Sequence, residues 1–162
     1  MIKKWKKVKT EETYQCGKWY SVDKDKVITP GGKQEVYYTV RRKPAVAIIP
    51  VDEKGNIHLT KQHRYAIGKF TLEVPGGYID NKEKPISTAK KELEEEMSLR
   101  AKRWLYLGKY YEASGLADIL VYVYLAKSVY KIKNAKKDTH DKNLHQTEIY
   151  TSQEVVKKNR QM

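Results

Sequence analysis

Cysteine is almost missing from this chain: Cys16 is the only one. A single thiol cannot close an internal disulfide, so a reducing cytoplasm is the expected setting and Cys16 is expected to be a small packing residue. Long apolar runs are missing too. No stretch approaches the ~18–20 residues that a membrane-spanning helix needs, so no membrane partner is expected. The basic start, Lys3-Lys4-Trp5-Lys6-Lys7, has no apolar stretch behind it, so no secretory signal is expected. There are no internal repeats and no low-complexity tract, which leaves one globular domain with room for a short N-terminal subdomain. Acid is the scarcer charge. Twenty Asp and Glu against 33 Lys and Arg give a net charge of +13. That excess suits an anionic partner such as a nucleotide, RNA or an acidic surface. Yet the lysines are scattered, clustering only at 3–7, 131–137 and 157–160, and no basic helix is interleaved with aromatics. RNA is therefore not the favoured partner, and a solubilising lysine-rich surface is the ordinary reading.

Against that background the acids are concentrated. Four of the five residues 92–96 are glutamates, on a segment that reads as a helix starting near Pro85, a residue suited to a first helical position. Glu92, Glu95 and Glu96 stand at i, i+3 and i+4 and share a face. Ile86, Ala89, Leu93 and Met97 form the neighbouring apolar stripe. Such a run is usually a solvated helix face, and repulsion of about 0.2–0.5 kcal/mol per pair does not exclude that. Two features point further. The acids lie toward the helix C-terminus, where the dipole disfavours anions by about 0.3–1 kcal/mol. They also follow the Gly76-Gly77 loop, which leaves a strand-like stretch, Phe70–Val74, and Pro75. A bound divalent cation reverses the penalty.

Residues 1–17 are polar and basic, a frayed start or an edge strand. Lys18–Lys24 and Gln34–Val40 read as strands around the turn Thr29–Lys33, so the N-terminal third is expected to be a small antiparallel unit. Ala45–Val51 is a nearly continuous apolar run, as in a strand buried on both faces. Ile57–Gln62 alternates, which points His58 away from the core. Trp104–Tyr111 and Ile119–Ala126 are two more strands joined by Glu112–Asp118. Residues 131–147 form a lysine-rich connection. A short strand at Glu148–Tyr150 leads to a helix that Thr151–Glu154 starts with the spacing of a capping box. Strands in excess with a central and a terminal helix give an α/β fold, a mixed sheet covered by helices.

Gly77, Glu83, Lys91-Glu92-Leu93, Glu95-Glu96 and Ser98-Leu99 follow one another at the spacing of the Nudix box, and on these residues the chain resembles the Nudix hydrolase family. Lys91 and Ser98 depart from the family's Arg and Gly. The resemblance covers roughly residues 44–155. It implies an α/β/α sandwich over 44–162, with residues 1–43 as an N-terminal β unit that serves dimerisation or the adenine side. It implies metal-dependent cleavage of a phosphoric anhydride. Magnesium (or manganese) would be held by Glu92, Glu95, Glu96 and the Gly76 carbonyl. Glu92 and Glu96 are the best ligands, and Glu95 is ligand or base. Glu83 is expected to hold the loop against the helix with Lys91 as partner, less firmly than with arginine, because lysine cannot make a flat two-pronged pairing. Ser98 stands where the helix would end in a left-handed residue, which serine tolerates worse than glycine; the helix either ends there or runs on.

Around the box, Lys61–Tyr65, Leu72–Gly77 and Tyr110–Gly115 resemble the ADP-ribose pyrophosphatase branch. The resemblance gives Arg64 the diphosphate, Glu73 the substrate or a metal water, and Gly115 a close approach to the terminal ribose. Trp19 or Tyr20 would take the adenine in a homodimer. Ser114 departs from the branch's proline, and an acidic pair is missing before the last strand. A loop base there would be Glu148, His145, Asp138 or Asp141. The implied reaction turns a small anionic nucleotide, ADP-ribose, into AMP and ribose 5-phosphate. The alternatives are a nucleotide sensor without turnover and an RNA 5′-end pyrophosphohydrolase.

Overall fold

A computed structural model describes residues 1–133 and 145–159. The sheet-and-helix pattern is α/β, with a mixed sheet and a small antiparallel N-terminal sheet, as expected. The chain divides into two compact units, Met1–Pro44 with Tyr110–Val121, and Ala45–Lys109 with Tyr122–Met162.

In the first unit, β1 (Lys6–Cys16), β2 (Tyr20–Ile28) and β3 (Gln34–Arg41) form an antiparallel sheet in that order. β1 is the edge strand, broken by register shifts at Lys7/Lys9 and Thr10/Glu12. The turn after β2 closes through Thr29, whose carbonyl accepts the Gly32 N–H at 2.9 Å.

The second unit is built on β4 (Ala45–Val51) and β5 (Ile57–Arg64), which pair only at Val51–Ile57 and then part. β6 (Lys69–Glu73) takes the free edge of β5, and β7 (Gly76–Tyr78) takes that of β4. The segment 69–78 therefore fills the wedge where two strands diverge. Pro75 is fully buried at its apex, and its carbonyl accepts the Ile48 N–H at 2.9 Å. Proline has no N–H of its own to satisfy there. The sheet continues through β8 (Leu99–Glu112), β9 (Ile119–Lys131) and β10 (His145–Tyr150), in the order β10-β5-β4-β9-β8.

Helix α1 (Pro85–Met97) begins with proline in its first turn and buries Thr88, Ala89, Leu93 and Met97 against β4 and β7. With Val46, Ile48, Ile79, Leu99, Tyr124, Ala126 and Val129 these apolar side chains make the core. Truncating Leu93, which has no exposed surface, to alanine costs about 2–5 kcal/mol. Helix α2 (Ser152–Asn159) starts with the expected capping box: the Thr151 N–H donates to Glu154 Oε2 at 2.7 Å, and the Glu154 N–H donates to Thr151 Oγ1 at 3.3 Å. Among the described residues no helix is long and apolar enough to cross a membrane.

Several expectations need correction. His58 does not face solvent; it is buried, with Nε2 3.4 Å from Asp52 Oδ2. β5 has neighbours along both edges, and burial runs unbroken through His58, Leu59 and Thr60. β4 alternates buried and half-buried residues instead of being closed on both faces. β8 starts at Leu99, five residues before the expected strand. Ser98 adopts φ 54° and ψ 39°, ends α1, and turns the chain directly into the strand.

Candidate active site

The wedge brings the glycine pair against the acidic helix. A Cβ on Gly77 would lie 2.4 Å from Cδ and Oε1 of Glu92 and 2.8 Å from its Oε2. The Glu92 carboxylate therefore occupies the space that any larger residue at 77 would claim. A Cβ on Gly76 would lie 2.2 Å from the Val46 carbonyl oxygen, backbone of the paired strand β4. Neither glycine has a left-handed backbone, so close approach alone dictates both.

The four glutamates of α1 are half-buried and separated by their neighbours. Glu94 is held by Arg100 in a fork, Nε donating at 2.9 Å and Nη2 at 3.1 Å. Glu95 lies 3.9 Å from Lys91 Nζ, one helical turn back. Lys91, the expected partner of Glu83, is thus within ion-pair reach of Glu95, and the Glu83 backbone N–H bonds the Asp80 carbonyl at 3.0 Å. Glu96 acts electrostatically on Arg64, helping to hold its guanidinium charged.

Arg64 and Glu73 form the second cluster. The guanidinium donates from Nε to Glu73 Oε1 at 2.9 Å and from Nη2 to Glu73 Oε2. Thr71 Oγ1 donates to the same carboxylate at 2.5 Å and Gln62 Nε2 at 3.1 Å. The Arg64 fork holds the Glu73 carboxyl below its ordinary range, although partial burial opposes it. Gln62 and Thr71 face each other in the β5–β6 register. Sequence reasoning missed their role, although alternation along the two strands places them beside Glu73.

Glu148 on β10 accepts from the Tyr150 hydroxyl and lies 3.5 Å from Lys61 Nζ; the Tyr150 bond is the main cause of its lowered pKa. Asp138 and Asp141 lie outside the described residues, as does the side chain of His145. Trp19 and Gly115 belong to the first unit. Trp19 is exposed in the β1–β2 turn, with Lys18 Nζ 5.2 Å from its ring centroid. The Gly115 carbonyl accepts the Tyr37 hydroxyl at 2.6 Å, and a Cβ at 115 would meet open space.

Among the described residues no three His, Cys, Asp or Glu side chains are gathered into a metal cage. What the wedge offers is all oxygen: the Glu92 carboxylate against the glycine backbone, with Glu95 and Glu96 on the same helix face. That donor chemistry fits a hard cation such as Mg²⁺, which takes one or two carboxylates and completes its shell with water and phosphate.

The chain is similar to known proteins over most of its length. A family model described as the NUDIX domain matches residues 41–161. An ADP-ribose pyrophosphatase of Mycobacterium tuberculosis is 36% identical over 124 residues, 76% of this chain and 60% of that protein. One from Bacillus subtilis is 30% identical over 86% of this chain and 75% of its own. A methanol dehydrogenase activator of Bacillus methanolicus is 32% identical over 80% of this chain and 70% of its own. The crystal structure of an ADP compounds hydrolase superposes with a TM-score of 0.81 over 99% of this chain and 85% of its own, at 18% identity, a likeness of fold.

Proposed function

The chain belongs to the NUDIX family, and from that premise we propose that it is a metal-dependent pyrophosphohydrolase acting on a nucleoside diphosphate linked to a second moiety. ADP-ribose is the preferred substrate, and AMP and ribose 5-phosphate are the products. The observation that carries this reading is the Glu92 carboxylate seated where Gly77 lacks a side chain. Oxygen donors are thereby directed at the β7 backbone in a protein of net charge +13. Relatives that bear the name ADP-ribose pyrophosphatase support the substrate class.

In this reading Glu92 and Glu96, with the Gly76 carbonyl, hold the cation, and Glu95 is a further ligand or the base. Mg²⁺ or Mn²⁺, when bound, supplies Lewis-acid charge at the diphosphate and acidifies water. Arg64 meets a substrate phosphate. Glu73 already takes the Nε–H and one Nη2–H, so Nη1 and the remaining Nη2–H form the edge that reaches the anion. Glu73 then acts chiefly by aiming Arg64. Gly115 takes the ribose end and Trp19 the adenine. Glu148 is the candidate loop base, although the Tyr150 and Lys61 contacts keep its carboxylate a poor proton acceptor near neutral pH.

The test is release of AMP from ADP-ribose with Mg²⁺ and with Mn²⁺, and its abolition by EDTA. Parallel arms hold ADP-sugars, GDP-mannose, dinucleotides and capped or triphosphorylated RNA. Turnover by Glu96→Gln equal to wild type, or no turnover in any arm, sinks the proposal. Light scattering of the same sample tests the homodimer.

A further inference from the structure

Within the first unit, β3 grips the tip of the β8–β9 hairpin, residues 113–118. The Val40 N–H donates to the Leu116 carbonyl at 2.9 Å, and the Asp118 N–H donates back to the Val40 carbonyl at 3.3 Å. The Tyr37 hydroxyl donates to the Gly115 carbonyl at 2.6 Å. Arg41 Nη1 donates to Asp118 Oδ2 at 2.7 Å. The tip has a shape of its own to maintain. Leu116 and Ala117 N–H groups both donate to the Ala113 carbonyl, at 2.7 and 2.9 Å, and Ala113 is held at φ 49°, costly for a residue with a Cβ.

Arg41 is anchored at its other end. Its Nε donates to Asp23 Oδ2 at 2.9 Å, and Nη2 lies 3.6 Å from Asp25 Oδ2. Asp25 is buried and also takes Lys7 Nζ at 2.8 Å and Thr10 Oγ1 at 2.6 Å; Asp23 takes Thr13 Oγ1 at 2.9 Å. The pair with Asp118 alone, its carboxylate 42% exposed, would be a weak surface contact. With Asp23 and Asp25 fixing the plane of the guanidinium from the sheet side, Nη1 points in one direction only. A lysine at 41 has a single ammonium and cannot serve the sheet and the hairpin tip in one rigid plane.

We propose that Arg41 is a positioning residue: it locks the Gly115–Asp118 backbone onto β3 and so presets the segment assigned to the sugar end of the substrate. This rests on the function proposed above. The sheet carboxylates Asp23 and Asp25 aim the guanidinium, and Asp118 receives it.

The experiment compares wild type, Arg41→Lys, Asp118→Asn and the double variant, each checked by thermal melting. Steady-state kinetics are measured with ADP-ribose, and AMP is measured as a product inhibitor. AMP lacks the terminal ribose. The expected result is a KM for ADP-ribose raised about tenfold in each variant, the scale of one lost charge-assisted bond. kcat stays within about twofold and the AMP inhibition constant is unchanged. The double variant should be no worse than Arg41→Lys alone, because the Asp118 contact is already lost there. A general loosening of the fold would move AMP binding and kcat as well. If Arg41→Lys does not fold, Asp118→Asn carries the test from the exposed side. Wild-type turnover with an unchanged KM in Asp118→Asn overturns the positioning role alone. Absence of AMP release by wild type overturns the reading of function, and the positioning role with it.

Discussion

The two glycines of the wedge are adjacent, yet alanine should act on them in opposite ways. At Gly77 the new Cβ would meet the end of a side chain, with Glu92 Cδ and Oε1 at 2.4 Å. Ordinary contact needs about 3.5–4.0 Å, so the carboxyl group must retreat by more than ~1 Å. Glu92 can do so by rotating, since the obstacle is the far end of a flexible, half-buried side chain, and stability should fall by about 1 kcal/mol, the low end for overpacking. Function should suffer much more. A displacement of ~1 Å at a group that must be preorganised costs on the order of 10²-fold in rate. At Gly76 the obstacle is the Val46 carbonyl oxygen at 2.2 Å, part of a β4 backbone paired through Ala45, Val46 and Ala47. That strand cannot yield without breaking its ladder. Gly76→Ala should cost about 3 kcal/mol or more, a fall in Tm of roughly 6–12 °C for a chain of this size. Differential scanning fluorimetry and Mg²⁺-dependent AMP release separate the two effects. The reasoning is refuted if Gly77→Ala melts as low as Gly76→Ala, or if it folds and retains wild-type activity.

Glu96→Gln should lower metal-dependent turnover by about 10²-fold or more, whereas Glu94→Gln, which loses only its fork with Arg100, should stay within about twofold of wild type in the same assay. Glu73 has a folded pKa depressed below its ordinary 4.5 by Arg64, so its contribution to stability is complete above that value and is lost as pH falls through the depressed one. Urea midpoints should accordingly show wild type above Glu73→Gln at pH 7, with the gap closing below about pH 4.5; a gap that widens on acidification refutes the assignment. Ser98→Gly should remove the cost of a left-handed serine, about 1 kcal/mol, and raise Tm by roughly 2–4 °C.

Signals carried by neighbouring residues were legible in the sequence. Pro85 starts α1, the apolar stripe Ala89, Leu93 and Met97 faces the core, and Thr151 and Glu154 close a capping box. What was not legible depends on partners far along the chain. Alternation in Ile57–Gln62 says that one face of β5 is drier, but not that the strand lies between β10 on one edge and β4 and β6 on the other. The same alternation points His58 away from the core, yet it is buried, with Nε2 3.4 Å from Asp52 Oδ2. Nothing local to Ala45–Val51 reveals that β4 leaves β5 after a single pair and lets 69–78 enter. Arg41 looks like one more cation in a basic chain. Only pairing β3 against β2 brings Asp23 beneath it, and only the hairpin tip brings Asp118 above.

The acidic run makes the same point at the candidate site. On spacing alone, Glu92, Glu95 and Glu96 share a helix face and Glu94 is the odd one out. Distance to neighbouring groups divides them further. Arg100 neutralises Glu94 from the start of β8, a position that follows from Ser98 reversing the chain. Lys91 reaches Glu95 only at 3.9 Å and with half of its side chain exposed, a contact worth little and easily exchanged for another cation. Glu92 is placed by Gly77, and Glu96 feels Arg64, whose own geometry Glu73 fixes. The departure of Lys91 from arginine thus falls on Glu95. Replacing it by Lys91→Arg should strengthen that one contact and leave the Glu92 and Glu96 environments unchanged. If Glu95 is the base, a firmer grip on its carboxylate competes with proton abstraction and lowers kcat at saturating Mg²⁺. If Glu95 is only a ligand, kcat stays where it is and the Mg²⁺ concentration for half-maximal rate moves instead.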